Sequence, residues 1–338
     1  MMREQRYFWE ASEMLNFKTF LSTIVVLMFA GAVQVAAATE LKLAHASSEE
    51  SLINEAAKRF SAEVEKATNG SVTIKIYPNG QLGDEGPIAE GVGSGSIDIG
   101  LGGVIDSIDP KLGVVTLPFL FKDFSNVHAV LDGPVGAELK SLGADKGVHM
   151  LGFLDSGFRN FSNNRGAIAS PPDMAGMKLR CPPNPVILET IKTLGALPQS
   201  IPFGEVYTAL QSKVVDGAEP ELRDFYDQKW YEVQKYLSVA NYIWTPNYWF
   251  MNKAKYDGLS AVERKAVDDA VASTTAWYRD HLNSVYEKII SDVKAKGVAV
   301  NVVDTAPFQA MVQPVYDKFS DEFGADLVKT VREAASKP

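Results

Sequence analysis

Between about Ser260 and Lys296 the chain carries one unbroken helical pattern, opened by Ser260 with Glu263 three residues on and stopped by Gly297. Ser at the cap and Glu in the third helical position satisfy two orphan backbone amides reciprocally, and Gly closes a helix by turning left-handed. At 1.5 Å per residue, a helix of this length outruns one small domain. It predicts two lobes tied together by a helix. The 338 residues, 46% of them apolar, are enough for two cores.

The rest of the chain alternates. Leu41–His45 and Val72–Tyr77 read as strands around a helix from Glu49 to Thr68, whose Leu52, Ala56, Phe60 and Val64 recur at helical spacing. A short helix at Ile88–Gly95, a strand at Ser96–Leu101, one long helix over about Asn126–Lys146 and a strand at Val148–Leu154 follow. The second half repeats the scheme: strands at Met177–Cys181 and Val214–Ala218, an extended run at Gln199–Pro202, and helices at Asn184–Leu194 and Glu205–Ser212. Val298–Val303 is a last strand, and Pro307–Ser336 are terminal helices. Strands and helices in turn, twice over, specify an α/β fold of two lobes with mixed, mostly parallel sheets. The lobes are expected at 39–157 plus about 246–285, and at 158–245 plus about 286–338. No low-complexity tether separates them.

The amino terminus differs. Lys18 precedes the mostly apolar run Phe20–Val33, and Ala36 and Ala38 match a small-residue cleavage site, which reads as a secretory signal peptide over 1–38. A single membrane anchor is the alternative. Met14 makes a tidier initiator than Met1, because Glu4, Glu10 and Glu13 sit badly in a basic leader. Removal of 1–38 takes away three basic and three acidic side chains, so the net charge stays at −9. That balance gives no basic stripe for nucleic acid. With Cys181 alone there is no internal disulfide, and this thiol reads as a small buried hydrophobe.

Chemistry concentrates at two arginines. Arg159 (Gly157-Phe158-Arg159) and Arg180 (Lys178-Leu179-Arg180) each end an apolar, strand-like run, and a guanidinium grips a carboxylate through two parallel hydrogen bonds. Both also fit ordinary ion pairs, Arg159 with Asp155. Glu219 can accept from a ligand hydroxyl or orient either arginine. His45 ends the first strand, where α/β clefts collect contacts. Gln81 and the Gly103 backbone amide are candidates for the same cleft. Tyr242 and Trp244 belong to an aromatic patch with Tyr248 and Trp249, open to stacking on a ring or sugar or to packing at a hinge.

Several motifs then fall in a telling order: Leu43-Ala44-His45, Tyr77-Pro78-Asn79-Gly80-Gln81-Leu82-Gly83-Asp84-Glu85, Gly95-Ser96-Ile97-Asp98 and Leu117-Pro118-Phe119-Leu120-Phe121, then Gly157-Phe158-Arg159, Asp173 to Arg180, Glu205 to Gln211, and Val215-Asp216-Gly217-Ala218-Glu219. Together they resemble the solute-binding protein of a tripartite ATP-independent periplasmic (TRAP) transporter, the DctP type, over essentially all of 39–335. The resemblance implies a two-lobed, periplasmic-binding-protein-like receptor without cofactor. It would close on a small organic acid in the periplasm and pass it to membrane permease subunits. In that family the arginine matching Arg180 grips the ligand carboxylate, the one matching Arg159 helps, and the aromatic matching Phe203 flanks the ligand. Two positions depart from the pattern. Pro220, without an N–H, stands where members often have Asn, and Asn241-Tyr242 replaces Asn-His.

No G-x-S-x-G elbow, Walker loop or paired-histidine zinc spacing occurs; His45, His128, His149 and His281 are scattered. An exported enzyme using Glu205 and Glu219 as acid and base is the rival reading, and the ligand module of a sensor is a third.

Overall fold

The computed structural model describes residues 38–337, so the expected signal peptide, the anchor alternative and the choice between Met1 and Met14 lie outside the described residues. Strand β1 (Thr39–Ala44), helix α1 (Leu52–Ala67) and β2 (Val72–Tyr77) form a parallel βαβ unit, and helix α2 (Glu85–Ser94) leads to β3 (Ile99–Gly102) on the other side of β1. In the second half β5 (Lys178–Cys181), helix α5 (Pro185–Thr193), β6 (Leu197–Ser200), helix α6 (Val206–Gln211) and β7 (Gly217–Ala218) repeat this arrangement, with β5 between parallel neighbours β6 and β7. Two long antiparallel strands, β4 (Val148–Asn163) and β8 (Tyr236–Asn252), join the halves. The nine strands among the described residues form one sheet in the order β2-β1-β3-β8-β4-β7-β5-β6, with β9 (Ala299–Val302) parallel to the start of β8. The expected α/β, two-lobed architecture is present, and strands rather than a tether connect it.

The β4–β8 ladder slips at Met150/Gly152, Asp155/Gly157 and Arg159/Phe161. Such irregularities bend and twist a strand pair. At Gly157 φ is +131° and a Cβ would stand 1.9 Å from the Tyr286 hydroxyl, so only glycine fits this crossing.

Helix α3 (Phe124–Leu131) and helix α4 (Pro134–Lys140) correct the single long helix expected over 126–146. Pro134 lacks the N–H to continue the first helix and opens the second, where no donor is needed. Gly136 lets the two approach, since a Cβ there would lie 1.8 Å from the Leu131 carbonyl oxygen. The expected strand at 214–218 shrinks to two residues, because Val214 is exposed and Lys213 turns left-handed.

After helix α7 (Leu222–Asp227) and helix α8 (Lys253–Gly258) comes helix α9 (Ala261–Ala295), 35 residues capped by Ser260 and Glu263 as expected. Its Val267, Val271, Tyr278 and Leu282 pack in one core with Leu41, Phe60 and Trp249. Its Ile289 and Val293 pack in a second core with Leu210, Phe225 and Leu237. One helix therefore seals the apolar faces of both halves. The terminal helices α10 (Ala306–Gln309), α11 (Gln313–Phe323) and α12 (Ala325–Ser336) complete a third core, where Val315, Phe319 and Val331 meet Val115, Val127 and Ile187. No helix among the described residues is long and apolar enough to cross a membrane.

Candidate functional site

A cleft of about 560 Å³, counted to its open mouth, lies between the two halves, and both arginines line it. They are equally buried, Arg159 at 5% exposure and Arg180 at 2%, so burial does not tell them apart. Their partners do. Arg159, on β4, donates through Nε and Nη2 to Glu219 (Nη2 to Oε1, 2.7 Å) and through Nη1 to Glu221 Oε1 at 2.6 Å. Burial disfavours its charge, but the two carboxylates outweigh that and hold its pKa well above the ordinary guanidinium value. Glu219 also accepts from the Tyr242 hydroxyl at 2.6 Å, and Glu221 from Ser156 at 3.0 Å and from Thr245.

Arg180 ends the parallel strand β5. Its Nε donates to the Ile201 carbonyl at 2.9 Å and its guanidinium carbon lies 5.9 Å from the centre of the Trp230 ring. Among the described residues it has no ion pair, and its two terminal nitrogens make no hydrogen bond. Burial, then the neighbouring Arg159 charge, lower its pKa from the ordinary value. A third cation on the cleft, Arg223, is matched by Asp224 (2.6 Å) and Asp227 (3.2 Å). Of these three guanidinium groups, the one at Arg180 is the cation without an ion-pair partner, although the Glu219 and Glu85 charges act on it from further off.

Acidic and neutral polar groups occupy the other walls. Glu85, at the start of α2, accepts the Gly103 N–H at 2.9 Å; burial pushes its carboxyl up to about 7 against that hydrogen bond. Burial likewise raises Asp224 to about 7 against the pull of Arg223. Ser47, Asn184, Phe203 and Asn247 complete the lining that matters for a solute.

A family model described as bacterial extracellular solute-binding protein, family 7 (DctP) matches residues 43–322. The chain belongs to this family. The 2,3-diketo-L-gulonate-binding periplasmic protein YiaO of Escherichia coli K12 is 32% identical over 303 residues, 88% of this chain and 92% of the relative. Among solved structures, the sugar acid binding protein DctPAm of Advenella mimigardefordensis, in complex with galactonate, is 32% identical with a TM-score of 0.85, covering 88% and 98% of the two chains. A TRAP periplasmic solute-binding protein of Polaromonas sp. JS666 bound to D-erythronate is 30% identical, also at 0.85, covering 88% and 100%.

On this DctP-family scaffold, the residues singled out in the sequence separate into groups. Arg180, Arg159, Phe203 and Gly103 line the cleft, although the Gly103 amide is engaged by Glu85. Glu219 and Tyr242 are fully buried behind Arg159. Trp244 is buried and off the cleft wall, with its indole N–H on Asp155 at 3.0 Å. Asp155 is thus not the partner of Arg159; it takes His128 at 2.9 Å instead. His45 is buried off the cleft, with Nε2 3.1 Å from Asn54 Oδ1, and burial lowers its pKa to about 4. Gln81 is exposed and off the cleft wall, as is Glu205. Pro220 offers only its carbonyl, which accepts the Asn160 N–H at 2.8 Å. Glu85, Glu221, Arg223 and Asp224 escaped the sequence reading. Glu85 stands inside the quoted Gln81–Glu85 motif, and only the fold turns it into the cleft.

Proposed function

We propose that this protein is the solute receptor of a TRAP transporter, taking a small acid with one carboxylate and several hydroxyls, of the sugar-acid class. The observation that carries the reading is the buried Arg180 guanidinium without an anion. An unpaired buried charge is costly, and a ligand carboxylate supplies the missing partner in a low-dielectric cleft. The galactonate and D-erythronate bound by relatives have this chemistry. With Arg159 and Arg223 matched by protein acids and Glu85 on the wall, a second ligand carboxylate would face carboxyl groups, which disfavours C4-dicarboxylates.

Arg159 acts indirectly, holding Glu221 and the floor of the site in place, and Phe203 covers the ligand's apolar face. The halves, at 39–157 plus about 246–285 and 158–245 plus about 286–338, close by bending of β4 and β8. The receptor works in the periplasm after loss of its signal peptide and delivers its acid unchanged to the permease subunits, without enzymatic turnover. The exposed position of Glu205 favours this over an acid/base pair with Glu219.

A thermal-shift screen of aldonates, uronates, keto acids, aromatic acids and dicarboxylates tests the reading. Ligand at one hundred times Kd adds about 2.7 kcal/mol to stability. Sugar acids are expected to raise the melting temperature and to be recovered intact. Stabilisation by succinate but by no monocarboxylate would reject the ligand class.

A further inference from the structure

We propose that Asp84 is the latch of the closed receptor, a positioning residue that sets how long the ligand stays. Its carboxylate serves two segments at once. Oδ1 accepts the Glu85 N–H at 2.6 Å and caps α2 in the first half. Oδ2 accepts the Gly204 N–H at 3.0 Å, from the turn Phe203–Glu205 in the second half. The two residues are 120 apart in sequence, and their bond joins the two halves beside the cleft. Among the described residues the Gly204 amide has no other acceptor, as is usual for a donor in a first helical turn.

The latch fastens the cleft walls themselves. Glu85 and Phe203, the chain neighbours of its two ends, both line the site. When the halves part, Gly204 exchanges a carboxylate for water, while the cap on α2 survives. The bond therefore adds to the closed form alone and slows opening. A second contact across the cleft, Gln228 Nε2 to Ser48 Oγ, is 3.4 Å long and too stretched to do the same.

Asp84→Asn separates the two duties. Asn caps helices well, but its amide has one acceptor oxygen where the carboxylate has two, so the cap is kept and the latch lost. This rests on the receptor reading, and the probe is D-galactonate or D-glucuronate, whichever binds more tightly. The variant should release it about 5- to 10-fold faster in stopped flow, with an unchanged association rate and an unchanged melting temperature of the unliganded protein. Gly204→Ala, which keeps the N–H and places its Cβ an ordinary 3.7 Å from Asp84 Oδ2, should stay within about twofold of the parent. A ligand-independent readout comes from pulsed electron-spin distances between labels at Glu90→Cys and Ser212→Cys, both exposed, with native Cys181 buried. There Asp84→Asn should shift the unliganded distribution to longer separations.

Unchanged dissociation with a lowered unliganded melting temperature would reduce Asp84 to a helix cap and overturn the latch. If no acid binds even the parent, the receptor reading fails and the distance distribution alone decides: the same distribution in both proteins rejects the latch, and a longer one in the variant sustains it.

Discussion

Arg159 and Arg180 are equally inaccessible, lie on the same cleft and each end an apolar run in the sequence, yet their surroundings are opposite. Around Arg159 the protein supplies two carboxylates, and those carboxylates are in turn satisfied by Tyr242, Ser156 and Thr245. Around Arg180 it supplies a carbonyl and an aromatic ring. Burial alone thus says little about function. The informative quantity is whether the protein has completed the electrostatics of the group or left that to a solute. On the proposed reading the completed guanidinium is scaffold, and the incomplete one anchors the solute.

The contrast can be broken most forcefully at Arg159. Arg159→Ala strands Glu219 and Glu221 in the interior, and the unliganded protein should lose about 3–5 kcal/mol in urea unfolding. A loss below about 1 kcal/mol would mean that Arg159 is as free as Arg180. Next in size, Arg180→Ala should weaken binding of a sugar acid at least ~100-fold, about 3 kcal/mol, by calorimetry. The unliganded stability of that variant should hold or rise slightly, because an unpaired buried cation is gone.

Smaller effects sharpen the same comparison. Tyr242→Phe removes one donor to Glu219 on the scaffold side, and should cost about 1–2 kcal/mol of stability with no change in affinity. The smallest is a pH effect at Glu85. Its carboxyl titrates near 7 when folded against 4.5 ordinarily, so the folded chain retains a proton that the unfolded chain has released. That contribution is complete below pH 4.5 and is lost as pH rises through about 7. The stability advantage of the parent over Glu85→Gln should therefore shrink between pH 5 and 7.5, read by thermal unfolding. An advantage that grows with pH would place an ionised Glu85 beside Arg180 as its protein partner, and the two arginines would no longer differ in kind.

Much of the fold was legible because its signals are local. Alternation in Val72–Tyr77, the Ser260–Glu263 box and the Gly297 stop each fix an element without help from the rest of the chain. The break at Gly133–Pro134 was legible in principle, since proline cannot continue a helix, but the apolar spacing on either side masked it. The full lengths of β4 and β8 were not legible, because their middles are buried on both faces and lose the alternation that marks a half-buried strand. In the site, Arg180 announced itself by motif and strand end. Glu221, Arg223 and Asp224 did not, because charged residues at the start of an ordinary short helix look solvent-facing until tertiary packing closes over them. The aromatic patch showed that large rings cluster, but not that the Tyr242 hydroxyl and the Trp244 indole are spent on buried acids.

The shared strands carry a last consequence. β4 and β8 each begin in one half and finish in the other, and α9 contributes side chains to the cores of both. Neither half is a transferable module: a cut anywhere along these elements leaves two fragments with frayed edges and open cores. New solute preferences must then arise by substitution within an intact chain, since recombination of halves between relatives would have to splice three long elements in register at once.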